Sequence, residues 1–205
     1  MDVELQRTSK GDQRLIDLTY VHYSQPGGFI GRTICYAIIY DNQYYGHICG
    51  GSATKHLPGR DDFLGISPYQ LNNVVNNVFF HVEPVNGRYP IRNFTTRCVI
   101  LFMKRIILDW MNKYGDIVIG FETLVEKPRT GDLYLKAGWT QVGETIGYTC
   151  KRVGGAPGNE KWSTSQRVWD HDKNNLRPKI VLCYKNPVQE ISSVTKMTNL
   201  LLGLK

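Results

Sequence analysis

The chain has 205 residues, 41% hydrophobic and 21% charged, which excludes a disordered polymer and suffices for one domain with a substantial core. Its net charge of +7 and pI near 9.1 favour a polyanionic partner, nucleic acid or an anionic surface. Five cysteines with no Cys-x-x-Cys spacing argue against a disulfide framework and a zinc site, and no metal ligand set is assigned.

The start of the chain, Met-Asp-Val-Glu-Leu-Gln-Arg, has no apolar signal region, and no apolar run approaches 18 residues, so a cytoplasmic protein without a membrane segment is expected. Residues 1–16 read as an irregular or helical arm, and residues 17–24 lead into a turn at Gln25-Pro26-Gly27-Gly28. Thr33–Tyr40 is apolar and β-prone, Asp41-Asn42-Gln43 supplies turn residues, and residues 44–53 complete a hairpin. Gly46, Gly50 and Gly51 mark a bulge or a close backbone approach. After a polar loop over 55–62, Ser67-Pro68 opens a short helix, and residues 77–83 form the next strand.

From 93 to 113 the apolar positions 94, 98, 99, 102, 103, 106, 107 and 110 follow helical spacing, with Arg97, Lys104, Arg105, Asp109 and Lys113 on a wetter face. Residues 116–123 are a β-branched strand ending in a carboxylate, Glu122, and residues 131–139 a short helix. Residues 145–151 and 179–184 are closing strands around a long loop, 154–175, that carries Trp162 and Trp169; a loop of that length is functional or unstructured. The domain is expected to span 1–186, with 187–205 a tail.

This order, β-β-(α)-β-α-β-α-β-β, predicts an α/β (α+β) fold: a mixed sheet with helices on both faces, its middle β-α-β unit parallel and right-handed. A ligand suits the point where a strand ends and a helix begins, since free N–H groups and the helix dipole converge there. Arg92, Asn93, Phe94, Thr95, Thr96 and Arg97 open the long helix and are the anion-binding candidates, although Asn93 or Thr95 also reads as a plain cap. Glu122 is either a general base raised by partial burial or a carboxylate paired with Lys127 or Arg129. His22, Tyr23 and Ser24 offer a base, a stacking ring and a hydroxyl. Tyr134 packs beside Trp139 or serves the site. Lys55, Arg60, Lys151, Arg152, Lys161, Trp162 and Arg167 are the candidates for a groove that holds double-stranded DNA.

The element order resembles the GNAT acyltransferase superfamily, which implies a mostly antiparallel sheet whose central parallel strands splay around a CoA thioester such as acetyl-CoA. The resemblance makes Tyr134 the proton donor to the departing thiolate. The usual GNAT glycine signature is absent, so residues 92–97 must grip the pyrophosphate with hydroxyl, amide and guanidinium donors. His22-Tyr23-Ser24, followed by Pro26-Gly27-Gly28, looks like the opening of the phage Mom family of DNA-modification proteins. The landmarks Asn93-Phe94-Thr95-Thr96, Asp109-Trp110, Tyr114-Gly115, residues 122–126, Gly131, Tyr134, Ala137, Trp139 and Gly143-Glu144-Thr145 are similar in spacing to a GNAT-like family of the Druantia defence system. What these resemblances imply is modification of the N6 amine of adenine in DNA, carbamoylmethylation in the Mom case, protecting phage DNA from restriction. The alternatives are a catalytically idle DNA-binding component of a defence system and an ordinary small-molecule or protein N-acetyltransferase.

Overall fold

Strand β2, Thr33–Tyr40, is buried at every position but Tyr40, and a strand apolar at successive positions has to be covered on both faces. Ile34, Tyr36 and Ile38 pack into the cluster built on helix α3 (Phe94–Tyr114), while Cys35 packs with Leu15 and Leu18 of α1 (Gln13–Val21). The computed structural model describes residues 2–24, 29–147 and 176–187, together with the backbone of 149–153 and 166–170.

The remaining elements are β1 (Glu4–Thr8), β3 (Gln43–Ser52), α2 (Arg60–Leu64), a 3-10 turn (Pro68–Asn73), β4 (Val74–Val82), β5 (Gly120–Glu126), α4 (Asp132–Lys136), β6 (Thr140–Glu144), β7 (Thr149–Val153), β8 (Gln166–Asp170) and β9 (Lys179–Lys185). Seven strands form one sheet in the order β1-β2-β3-β4-β5-β9-β6, and β7 and β8 pair separately. Every neighbouring pair is antiparallel except β4–β5. The fold is therefore a mixed sheet with one central parallel pair, as the element order predicts, and mostly antiparallel, as the GNAT resemblance implies. Helices α3 and α4 cover one face, where Phe121, Val125, Tyr134, Ile180 and Leu182 join the main cluster. Leu64 of α2 packs on Val74 and Ile119, and Leu57 on Val181 and Cys183, on the other.

Helix α3 carries the predicted periodicity and ends at Gly115, whose φ of 76° suits the left-handed cap. Gly50 lies beneath its middle: a Cβ there would collide with the Ile106 side chain and press on Val75 and Phe102. That close approach is what the glycine permits.

Four expectations need correction. The N-terminal arm is an edge strand, β1, followed by α1, whose first turn is capped by the Asp12 carboxylate accepting the Arg14 N–H at 3.0 Å. Residues 17–21 are the end of that helix rather than the approach to a turn. The strand expected over 116–123 begins only at Gly120 and runs to Glu126. The strand expected over 145–151 begins only at Thr149, as β7, after Gly147 with φ 87°, and a separate strand, β6, precedes the expected range. Strand β8 also falls inside the expected loop, whereas Lys161, Trp162 and residues 188–205 of the expected tail lie outside the described residues.

Glu122 is fully buried on the α2 face, next to Phe121 on the α3 face, as strand alternation requires. One carboxylate oxygen accepts the Thr54 N–H at 2.6 Å, and the other accepts Arg60 Nη1 at 2.6 Å. Arg60 is itself fully buried; Nη1 also donates to the Thr54 carbonyl at 2.5 Å, and Nε reaches Asp61 at 2.7 Å. Arg60 was expected in a DNA groove; its charge is instead what allows a carboxylate to sit inside the sheet. Burial raises the Glu122 pKa, opposed by the Thr54 N–H and the Arg60 guanidinium. Glu122→Gln leaves the guanidinium undercompensated and is expected to lower stability by about 3 kcal/mol, read from the urea midpoint. An unchanged midpoint would contradict this account of the pair.

His47 is completely buried between β3 and α1, its Nδ1 2.6 Å from Tyr44 Oη and its Nε2 3.8 Å from the Asp12 carboxylate. Burial depresses its pKa from 6.5 to about 4, only partly opposed by Asp12. The folded state thus binds this proton less readily than the unfolded chain. Its contribution is complete above about pH 6.5 and is lost as pH falls through about 4, a total of roughly 3 kcal/mol. Thermal melts from neutral to acid pH should fall less steeply for His47→Gln than for the wild type, since glutamine takes up no proton.

Candidate active site

Strands β4 and β5 pair only through Val74 with Gly120, Val75 with Phe121, and Asn76 with Glu122. Beyond that point the described residues form no further ladder between them, and a cleft of about 720 Å³ opens on the α3 and α4 side. A bulge produces the divergence: Gly50 pairs with Asn77 and Cys49 with Phe79, so Val78 is the extra residue of β4.

The Asn77 side chain stabilises that bulge. Its Nδ2 donates to the Cys49 carbonyl at 3.0 Å and the Phe79 carbonyl at 3.1 Å. With the amide nitrogen so committed, Oδ1 is the acceptor, and the Tyr134 hydroxyl donates to it at 2.5 Å. Thr123 Oγ1 crosses the gap to the Asn77 carbonyl at 3.1 Å. Burial pushes the Tyr134 pKa well above that of a free phenol, opposed by Thr123. The phenol therefore holds its proton at the floor of the cleft. Sequence reasoning missed both Asn77 and Thr123. The available signal was Asn76-Asn77 inside an apolar strand, where asparagine is disfavoured without a specific partner.

At one end of the cleft is the N-terminus of α3. Asn93, with φ 57°, makes no side-chain cap, the first turn has no acidic residue, and the first helical donor is Arg97 N–H to the Asn93 carbonyl at 2.9 Å. The preceding N–H groups have no partner within the helix, and Asn93, Thr95 and Thr96 line the cleft beside them. The other three candidates differ: Arg92 and Arg97 are exposed and outside the lining, while Phe94 is buried against Tyr40, Tyr45 and Tyr89 as a core anchor.

His22, Tyr23 and Ser24 also line the cleft. His22 caps α1 with its N–H to the Leu18 carbonyl at 2.9 Å and is only 5% exposed. Its ring packs at a tilt against those of Tyr23 and Phe79, at 4.4 and 4.7 Å between centroids. Burial chiefly, then the neighbouring His81 and Arg129, lower its pKa to about 4, against the Phe80 carbonyl. The Arg129 guanidinium lies 3.7 Å from the Tyr23 ring centroid, a cation–π contact at the cleft wall. Arg129 was another residue the sequence did not single out for the site.

Glu122 does not line this cleft, so the carboxylate expected to act as base is enclosed on the far side of the sheet with both oxygens occupied. Of the expected DNA-binding residues, Lys55 is exposed near β3. Arg152 and Arg167 are backbone partners across the β7–β8 hairpin, with Lys151 beside them; their side chains, like Lys161 and Trp162, lie outside the described residues. No group of three or more His, Cys, Asp or Glu suited to a metal occurs among the described residues. No described helix is long and apolar enough to cross a membrane.

No protein-family model matches the sequence, and no curated protein matches it. Solved structures do match in three dimensions. An acetyltransferase of Bacillus subtilis in complex with CoA superposes with a TM-score of 0.50 at 10% identity, covering 90% of this chain and 99% of that one. The aminoglycoside acetyltransferase AAC(6')-Ib, solved with coenzyme A and kanamycin, gives a TM-score of 0.52 at 11% identity, covering 94% of this chain and 99% of that one. At such identities the likeness speaks for architecture alone. The chain has the fold of the GNAT acetyltransferases.

Proposed function

We propose that this protein is a transferase that takes an acyl group from a CoA thioester and delivers it to an amine, and that the amine is N6 of adenine in DNA. The observation that carries the reading is the cleft between β4 and β5, with a buried phenol at its floor and an uncapped helix N-terminus at its end. The pantetheine arm would lie between the diverging strands, and the pyrophosphate against the free N–H groups of α3 with Asn93, Thr95 and Thr96 beside it. Tyr134, kept protonated by burial, would donate to the sulfur as the thioester breaks. His22, neutral above about pH 4, has a lone pair available at physiological pH.

Support for a base in DNA as acceptor comes from the net charge of +7 and from the Tyr23–Arg129 stack at the cleft wall, a surface suited to an extruded base. The N6 lone pair is delocalised into the ring and the amine is hidden in a duplex, so the site has to supply a base, exclude water and receive a flipped nucleotide. The Mom resemblance points further, to a carbamoylmethyl adduct that protects phage DNA from restriction, an N-alkyl group that acyl transfer alone does not deliver.

A second reading, a small cationic amine as acceptor, is favoured by one feature. A cleft of about 920 Å³ on the α2 side is lined by the carboxylates Asp61, Glu126 and Glu144 and by the cations Arg177 and Lys179, an excess of one acid that suits a small cation better than a phosphate backbone.

Calorimetry should detect acetyl-CoA binding, and nucleosides from DNA co-expressed with the protein should contain a new adenine adduct. Its mass separates an acyl from a carbamoylmethyl group. Acetylation of a polyamine with unmodified DNA would instead establish the second reading, and absence of acetyl-CoA binding would remove both. Tyr134→Phe should lower turnover by about 10²–10⁴-fold with acetyl-CoA affinity retained.

A further inference from the structure

The hydrogen bonds around His22 fix its tautomer. Nδ1 lies 3.3 Å from the Ser24 backbone N–H and 2.8 Å from Ser24 Oγ, and Nε2 lies 3.3 Å from the Phe80 carbonyl. A backbone N–H only donates and a carbonyl only accepts, so Nδ1 holds the lone pair and Nε2 the proton. The Ser24 hydroxyl then has Nδ1 as its acceptor. A hydroxyl on an imidazole nitrogen, with the other nitrogen held by a third group, is the arrangement that activates a serine. Here the third group is a neutral carbonyl of β4. The Tyr23 and Phe79 rings keep the imidazole in place, and Ser24 is exposed within the cleft.

Resting on the CoA-dependent reading above, we propose that Ser24 is a nucleophile that takes the acyl group from the thioester first, holding it as an ester on Oγ until the amine arrives. In the first step the Oγ–C bond forms and the C–S bond breaks. The Oγ proton passes to His22 Nδ1. The sulfur leaves with a proton from Tyr134, and the imidazolium gives its proton back to the phenolate through the solvent of the cleft that both residues line, so CoA departs as the thiol and both side chains end neutral. In the second step the amine nitrogen attacks the ester carbonyl and the C–O bond breaks. His22 takes the amine's surplus proton and returns one to Oγ, regenerating serine. No oxidant or reductant enters either step.

This role explains why the hydroxyl and the base are two residues apart, directly after a helix. The cap at His22 ends α1 and turns the following backbone, so Ser24 N–H and Oγ both meet the ring. A direct transfer in which His22 alone accepts the amine proton has no use for a hydroxyl covering Nδ1.

The test is a half-reaction with no acceptor present. The full chain is incubated with acetyl-CoA carrying a labelled acetyl group, quenched in acid and mapped by peptide mass spectrometry. An acetyl group on Ser24 is expected, together with exchange of labelled free CoA into acetyl-CoA. Ser24→Ala should abolish both, and His22→Gln should slow the exchange by about 10²-fold or more. Ser24→Cys should carry the label as a thioester, which separates lost nucleophile from lost fold. If acetyl-CoA binds and an acceptor is modified while neither label nor exchange occurs, the nucleophile is overturned and the CoA reading stands. Label that persists in Ser24→Ala overturns it equally. Absence of acetyl-CoA binding removes both.

Discussion

A parallel strand pair that ends after three residues leaves backbone groups in the middle of a sheet without a ladder, and an unmet buried group costs about 1–3 kcal/mol. Asn77 resolves most of that debt. Its amide nitrogen satisfies two carbonyls at the bulge, its own carbonyl accepts from Thr123, and its Oδ1 receives the Tyr134 hydroxyl. The bulge, the opening between β4 and β5 and the orientation of the phenol are therefore one arrangement. Because the amide donors are committed to the sheet, Tyr134 can be oriented by its own proton alone.

The two ionisable centres of the sheet are kept apart by strand alternation. Thr123 faces the cleft and Glu122 the α2 side, so adjacent residues of β5 serve different functions. On one side a phenol and an imidazole sit in their neutral forms beside open space. On the other a carboxylate and a guanidinium neutralise each other, enclosed behind Thr54 and Asp61, which line the α2-side cleft. Burial acts on both, but only the first pair lines a cleft that a ligand could enter.

Much of this fold was legible in the chain. Helix α3 followed from its apolar spacing, β2 from an unbroken apolar run, and the parallel pair from the long helical crossover between two strands. The edge strand β1 was not, because only Leu5 of its five residues is buried and no alternation shows. The ion pair was invisible because Arg60 and Glu122 lie 62 residues apart in sequence, while a terminal carboxylate on an apolar strand reads equally as a base. The anion-binding candidates divided for a similar reason. Periodicity marked where the helix began, but the direction in which it entered the core decided that Thr95 and Thr96 would meet the cleft and Phe94 would not. The His22-Tyr23-Ser24 triplet was visible as chemistry, yet the carbonyl that sets its tautomer belongs to a strand far along the chain.

The close seat of α3 on Gly50 has a mechanical consequence. At the α-helical rise, Ile106 stands about 16 Å from Thr95 along the axis. The mid-helix contact is therefore a fulcrum, and the uncapped N-terminus is the far end of a lever. A tilt of a few degrees at the seat displaces the terminal N–H groups by about 1 Å, enough to break their aim at an anion. The stiffness of a hydrocarbon contact deep in the core thus sets the tolerance of the anion grip proposed for that helix end.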